Sequence, residues 1–159
     1  MRIRSVEKKD NLALEKIIKA IFHEFDLPLS VTAYEDKETS NMFKSYNEKG
    51  AQYFVLVNED DAVVGGGGIE KLNGVEGQIC ELQKMYFMPN VRGKGLGKKL
   101  FQHCLNEAKN LGYTSCYLES ASVLKAAINM YQKNGFKYLD KPMGDTGHFS
   151  CGVWMIREL

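Results

Sequence analysis

The chain is short of the residues that announce special environments. Three prolines, one tryptophan and three histidines in 159 residues are too few for a proline-rich linker or a histidine-built metal centre. The four cysteines, Cys80, Cys104, Cys116 and Cys151, are scattered without the paired spacing of a zinc site or a redox motif, so no metal is expected. Neither sign of charge dominates. With 21 Lys and Arg against 20 Asp and Glu, the formal net charge is +1, which gives no reason to expect nucleic acid or an anionic membrane as a partner. No apolar run approaches the roughly 20 residues of a membrane span. Met1-Arg2-Ile3-Arg4-Ser5 lacks the apolar core of a signal peptide. Cys104 falls on the apolar stripe of a helical pattern and Cys116 inside a strand-like run, so both read as buried reduced thiols and the protein as cytoplasmic.

What is present fits an ordinary globular protein, 44% hydrophobic and 26% charged, expected to form one domain over residues 1–159. The most informative stretch is Val91-Arg92-Gly93-Lys94-Gly95-Leu96-Gly97-Lys98-Lys99-Leu100. A strand-like run from Ile79 to Met88 precedes it, and an amphipathic helix follows with Leu100, Phe101, Cys104, Leu105, Ala108 and Leu111 on one stripe. In a strand–glycine loop–helix, the first helical N–H groups lack intrahelical partners and carry the positive end of the dipole. Glycines let that backbone approach a ligand, and phosphate is the natural guest. Arg92, Lys94, Lys98 and Lys99 add positive charge. A Walker A loop fails because Lys99 follows Gly97-Lys98, leaving no hydroxyl for magnesium. A Rossmann fingerprint counted from Gly95 meets Leu100 where its third glycine belongs. What remains is R-x-x-G-x-G, a pattern that a plain glycine turn capping a surface helix would also satisfy.

Taken in order, Ile3 to Val6 reads as a first strand. Asp10 offers an N-cap to a helix carrying Leu14, Ile17, Ile18, Ile21, Phe22 and Phe25, closed by Pro28. A shorter helix is expected from Glu38 to Asn47, with Gly50 ending it. Tyr53 to Val57 and the run from Ala62 form a hairpin. Gly65 to Gly68 then interrupt the strand pattern, marking either a kink or bulge, or close approach of a ligand or neighbouring backbone. A strand from Gln78 to Phe87, the helix after Gly97 and a strand from Thr114 to Leu118 give one strand–helix–strand unit, hence a parallel pair. Ser122 offers a cap to a helix through Tyr131, and the last strands are Phe136 to Leu139 and Phe149 to Ile156.

Element order and motifs together resemble the GNAT superfamily of N-acetyltransferases. Arg92-Gly93-Lys94-Gly95-Leu96-Gly97 resembles its pyrophosphate loop, and Glu81 to Pro89 its fourth strand. Leu118-Glu119 resembles the end of its fifth strand. Ala127-Ile128-Asn129-Met130-Tyr131-Gln132-Lys133-Asn134-Gly135-Phe136 resembles its A-x-x-x-Y-x-x-x-G-F segment. The resemblance implies an α/β fold: a mixed, mostly antiparallel sheet of six or seven strands, helices on both faces and a splayed parallel pair. It also implies acetyl-CoA as co-substrate, its pantetheine along Met85, Tyr86 and Phe87 and its pyrophosphate on the N–H groups of Arg92, Gly93, Lys94, Gly95, Leu96, Gly97 and Lys98. One departure stands out. Leu124 occupies the position where many members carry a pantetheine-binding asparagine, with Ser120 and Ser122 as nearby substitutes.

Acetyl transfer to an amine requires a deprotonated amine, a stabilised oxyanion and a protonated leaving thiolate. By resemblance Tyr131 is the general acid and Glu81 the base, while a backbone N–H of Met85 or Phe87 serves the oxyanion. A packed tyrosine and a solvated or lysine-paired carboxylate are the structural alternatives. His148 is a further proton-transfer candidate, and Asp26, Glu35 and Asp145 are candidates to attract a cationic amine. The primary amine of a small molecule or amino acid is the expected acceptor, and a homodimer stays open. A non-catalytic CoA-binding module is the rival reading.

Overall fold

The computed structural model describes residues 1–148 and 150–159. Seven strands form one sheet: β1 (Arg2–Ser5), β2 (Gln52–Val57), β3 (Val63–Lys71), β4 (Ile79–Phe87), β5 (Ser115–Ala121), β6 (Lys137–Leu139) and β7 (Gly152–Glu158). Their spatial order is β1-β2-β3-β4-β5-β7-β6. Only β4 and β5 run parallel. Four helices join them: α1 (Asn11–Glu24), α2 (Met42–Ser45), α3 (Leu96–Asn110) and α4 (Lys125–Lys133).

Strand alternation sends β2 side chains to both faces. Tyr53, Val55 and Val57 pack with Leu14 of α1 and Met42 of α2, while Phe54 joins Leu100, Phe101, Cys104, Leu105 and Ala108 of α3. Each large apolar side chain so buried contributes roughly 1.5–3 kcal/mol. The helices therefore cover opposite faces, as the mixed-sheet expectation requires.

Several local expectations need correction. The helix expected from Glu38 to Asn47 is a 3₁₀ turn, Lys37–Ser40, and a single α turn. Asn41 breaks it with an extended φ of −144°, the Thr39 hydroxyl bonds back to the Ala33 carbonyl at 2.6 Å, and the Phe43 N–H donates to Asn11 Oδ1. Asp10 does not cap α1 with its side chain; its carboxylate accepts the Glu7 N–H and a two-point contact from Arg4. Nor does Ser122 cap α4, which starts at Lys125 after Leu124. The strand expected to begin at Phe149 starts at Gly152; Phe149 itself lies outside the described residues.

Two features of the sheet position the site. Pairing of β4 with β5 covers only Ile79–Leu82 against Ser115–Leu118. Both strands continue past that point, to Phe87 and Ala121, without pairing to each other. On its other edge β4 carries a bulge: Gly66 pairs with Tyr86 and Gly68 with Gln83, so Lys84 and Met85 together oppose Gly67. Lys84 takes up the extra residue at φ +47°, and the Tyr53 hydroxyl holds its carbonyl at 2.7 Å.

Candidate active site

Helix α3 begins immediately after Gly95, at φ +75°, with Gly93 at φ +73° two residues earlier. These left-handed conformations turn the loop so that its amides precede the helix. Among the described residues the N–H groups of Gly93, Lys94, Gly95, Leu96, Gly97 and Lys98 have no protein acceptor, and they sit at the positive helix end. Arg92 departs from the expectation. Its N–H is taken by the Pro89 carbonyl at 3.2 Å, so the bare amides begin at Gly93. The Arg92 guanidinium instead donates to the Phe87 carbonyl and, through two bonds of 2.6 and 2.7 Å, to Glu24, lying over the Phe25 ring. It ties the end of β4, the loop and α1 together. Leu96 packs inward beside Val91 and Phe87.

A groove of about 440 Å³ opens from this loop, between Met85, Tyr86 and Phe87 of β4 and Val123 to Ala127, Met130 and Tyr131 at α4, with Gly93, Gly95, Gly97 and Lys98 at its end. Behind it lies a smaller cavity of about 100 Å³, which Glu81, Glu119, Ser120, His148 and Phe22 help to line. Met85, Tyr86, Leu124, Ala127 and Tyr131 line both. Tyr131 is thus at the junction. It is only 7% exposed and packs on Phe101 and Phe136, yet its hydroxyl has no hydrogen-bond partner among the described residues. Burial pushes that hydroxyl above the usual phenol range, so at neutral pH it is a proton donor.

Glu81, 4% exposed, projects into the smaller cavity. Burial drives its carboxyl up to about 7; the Gln83 side-chain bond partly opposes the rise and Glu119 adds to it. Gln83 Nε2 donates to Glu81 Oε2 at 2.6 Å and to Glu70 at 3.1 Å. Opposite, Glu119 Oε1 accepts the Tyr117 and Thr146 hydroxyls at 2.8 and 3.0 Å, whereas its Oε2 is buried without a hydrogen-bond partner among the described residues. His148 Nε2 lies 3.0 Å from Asp36 Oδ2; that hydrogen bond raises the imidazole above its ordinary value, against the effect of burial. The Lys84 ammonium, its side chain 2% exposed, sits between Asp36 Oδ2 at 3.0 Å and Glu38 Oε2 at 3.1 Å. Burial pulls the Lys84 ammonium down, but Asp36 and Glu38 outweigh it and raise the group above its ordinary value. Glu81, Glu119 and His148 each bring one donor atom within 4.8 Å of the others, the one such set among the described residues, although His148 Nε2 already faces Asp36.

Sequence reasoning reached Glu81, Tyr131 and the loop but passed over Gln83, Lys84, Asp36 and the role of Glu119. The alternation of Tyr117, Glu119 and Ala121 on one face of β5 is the signal that could have found Glu119. Of the substitutes for the missing asparagine, Ser120 lines the inner cavity and Ser122 neither space. Asp26, Glu35 and Asp145, candidates to attract an amine, line neither space either; the carboxylates that do are Glu81 and Glu119.

A sheet parted between two parallel strands, with two cavities meeting at a tyrosine, offers adjoining spaces for two ligands. The comparisons agree. The model of the acetyltransferase (GNAT) family matches residues 14–136. YjgM, an uncharacterised N-acetyltransferase of Escherichia coli, is 41% identical over 158 residues, covering 99% of this chain and 94% of its own. A GNAT-family acetyltransferase from Staphylococcus aureus shares the fold at a TM-score of 0.85 and 21% identity, over 99% of this chain and 98% of its own. The putative acetyltransferase yncA of Salmonella typhimurium, solved with its cofactor acetyl-CoA, does so at 0.75 and 23% identity, over 99% and 93%. The chain belongs to the GNAT acetyltransferase family.

Proposed function

We propose that the protein transfers the acetyl group of acetyl-CoA to the primary amine of a small molecule, by direct attack and without a covalent enzyme intermediate. One observation carries this reading: the groove that starts at the bare amides and the cavity that holds Glu81 share a wall containing Tyr131.

The groove suits acetyl-CoA. Unpartnered N–H groups from Gly93 to Lys98 match a diphosphate, and the unpaired edge of β4 at Met85 to Phe87 suits an extended amide-bearing arm. When bound, acetyl-CoA supplies an electrophilic thioester carbonyl and a thiolate leaving group. The protein supplies the proton traffic. Glu81 takes a proton from the acceptor ammonium, freeing the lone pair that forms the new C–N bond. As the C–S bond breaks, Tyr131 gives its proton to the departing sulfur, and the second proton shed by the acylated nitrogen restores the tyrosine hydroxyl. A carboxyl at about 7 is matched to work near neutrality, because a base is most effective when its pKa lies near the operating pH. The main-chain N–H of Met85 or Phe87 is the proposed donor to the developing oxyanion.

The test is thiol release from acetyl-CoA across a panel of primary amines, after titration calorimetry has measured acetyl-CoA binding. Turnover on small amines is expected. Tight binding of acetyl-CoA without release on any amine would leave a binding module instead, and failure to bind acetyl-CoA would remove the assignment altogether.

A further inference from the structure

The charges around the inner cavity do not balance, and the imbalance describes the acceptor. Among the described residues two basic side chains line this cavity, and both are committed: Lys84 to Asp36 and Glu38, and His148 to Asp36. The Gln83 amide donors are likewise spent on Glu70 and Glu81. Left over are two carboxylates that line the cavity. Among the described residues Glu119 Oε2 is buried with no hydrogen-bond partner, its neighbour being the Cys151 thiol, a weak neutral donor, and Glu81 Oε1 has none. An under-satisfied buried acceptor is costly, and a cationic donor would satisfy it best.

Building on the acetyltransferase reading, we infer that Glu119 and Glu81 together hold the acceptor ammonium, and that the enzyme selects cationic amines bearing no carboxylate beside the reacting nitrogen. A carboxylate on the adjacent carbon would enter within a few ångströms of Glu81 and Glu119, and both nearby cations are already engaged by other carboxylates. Like charges so placed in a poorly hydrated pocket repel strongly. Glu119 is therefore a substrate-binding and specificity-determining residue. Its Oε1 is steadied by Tyr117 and Thr146, which leaves Oε2 to meet the substrate.

Matched triplets test this: 2-methylpropylamine, valinamide and valine, and agmatine, argininamide and arginine. Within each, the skeleton is nearly constant while the neighbouring group changes from hydrogen to amide to carboxylate. Two readouts are taken: kcat/KM for acetyl transfer, and affinity for enzyme saturated with coenzyme A. At least a tenfold preference for amine over acid is expected in both, with the neutral amide closer to the amine. Glu119→Gln should shrink that preference several-fold. Equal or better use of the acids would overturn the inference while leaving acetyl transfer intact. Discrimination in binding with no transfer to any compound would support the inference and sink the roles of Glu81 and Tyr131 instead. Absence of both binding and transfer across both triplets would overturn it.

Discussion

Replacing Glu81 with glutamine should make the protein more stable and nearly inactive, and the stability gain should depend on pH in a fixed way. In the unfolded chain the carboxyl ionises near 4.5; in the folded protein burial moves this to about 7. Below 4.5 the group is protonated in both states, and glutamine, of the same shape, is equivalent. Between 4.5 and about 7 the unfolded state releases the proton while the folded state keeps it, so wild-type stability falls as pH rises. Over that interval, at about 1.36 kcal/mol per pH unit, the loss reaches roughly 3 kcal/mol and then levels off. Glutamine does not titrate, so it escapes the loss, and its oxygen can still accept the Gln83 bond.

The assay is urea unfolding of both proteins from pH 4 to 8. The variant's advantage should be near zero at the acid end, about half-developed near pH 6, and roughly 3 kcal/mol above pH 7.5. Other buried groups, His148 and Glu70 among them, are common to both proteins and largely cancel in the difference. Turnover should fall by about 10²–10⁴, the range for loss of a general base. An advantage that does not change with pH, or a variant less stable than wild type at pH 8, would show that Glu81 is not held in the desolvated state described. Undiminished turnover would remove it from proton transfer.

Three further outcomes are expected. Tyr131→Phe removes a hydroxyl with no partner among the described residues, so stability should change by less than about 0.5 kcal/mol while turnover drops by about 10²-fold or more at unchanged acetyl-CoA affinity; equal turnover would return Tyr131 to packing alone. Gly97→Ala should fold normally, because its backbone is helical and the new Cβ would meet Phe87 at an ordinary 3.4 Å. Calorimetry should nonetheless show acetyl-CoA binding weakened about tenfold by the methyl group in the groove, and unchanged affinity would count against the loop. Gly95 is the poorer probe, since at φ +75° any side chain strains the loop itself. Lys84→Met strands Asp36 and Glu38 and should cost roughly 2–3 kcal/mol at pH 7, less than a fully buried pair because both carboxylates reach solvent. In a Glu38→Gln background the cost should shrink; an undiminished cost there would contradict the ion-pair account.

How much of this was legible in the sequence follows the range of the interactions. The loop and α3 were readable because glycine spacing and a helical stripe are local signals, and Glu81 and Tyr131 came from position within motifs. The Asp36–His148 tie joins residues 112 apart, and Lys84 Nζ reaches Glu38, 46 residues away; no local pattern announces either. Helix α2 was overestimated because Met42, Phe43 and Tyr46 do lie on one side, while the Thr39 and Asn41 geometry that breaks the helix depends on Ala33 and Asn11. The amine-attracting carboxylates were sought in polar loops, where acidic residues are usual. The carboxylates that line the inner cavity lie on strands instead, where desolvation changes what a carboxylate does.

The four glycines of β3 were the open question in the sequence; in the structure they face closely packed neighbouring side chains, and the bulge beside them lies on the facing strand β4. A Cβ at Gly66 would fall 2.6 Å from the Tyr53 ring, and one at Gly68 would also collide with Tyr53. On the other face, Gly65 would meet the Phe87 ring, and Gly67 would meet Met85 at 2.8 Å. One pair of glycines thus clears space for the tyrosine whose hydroxyl holds the Lys84 carbonyl; the other clears it for two side chains that line the groove leading from the glycine loop. The bulge stands opposite Gly67, and β4 and β5 stop pairing two residues before it, at Leu82 and Leu118. Bulges bend and twist the strand that carries them, and β4 carries this one just past the point where its pairing with β5 ends. The lost strand stability of four glycines is the counterpart of the opening in which the two cavities meet.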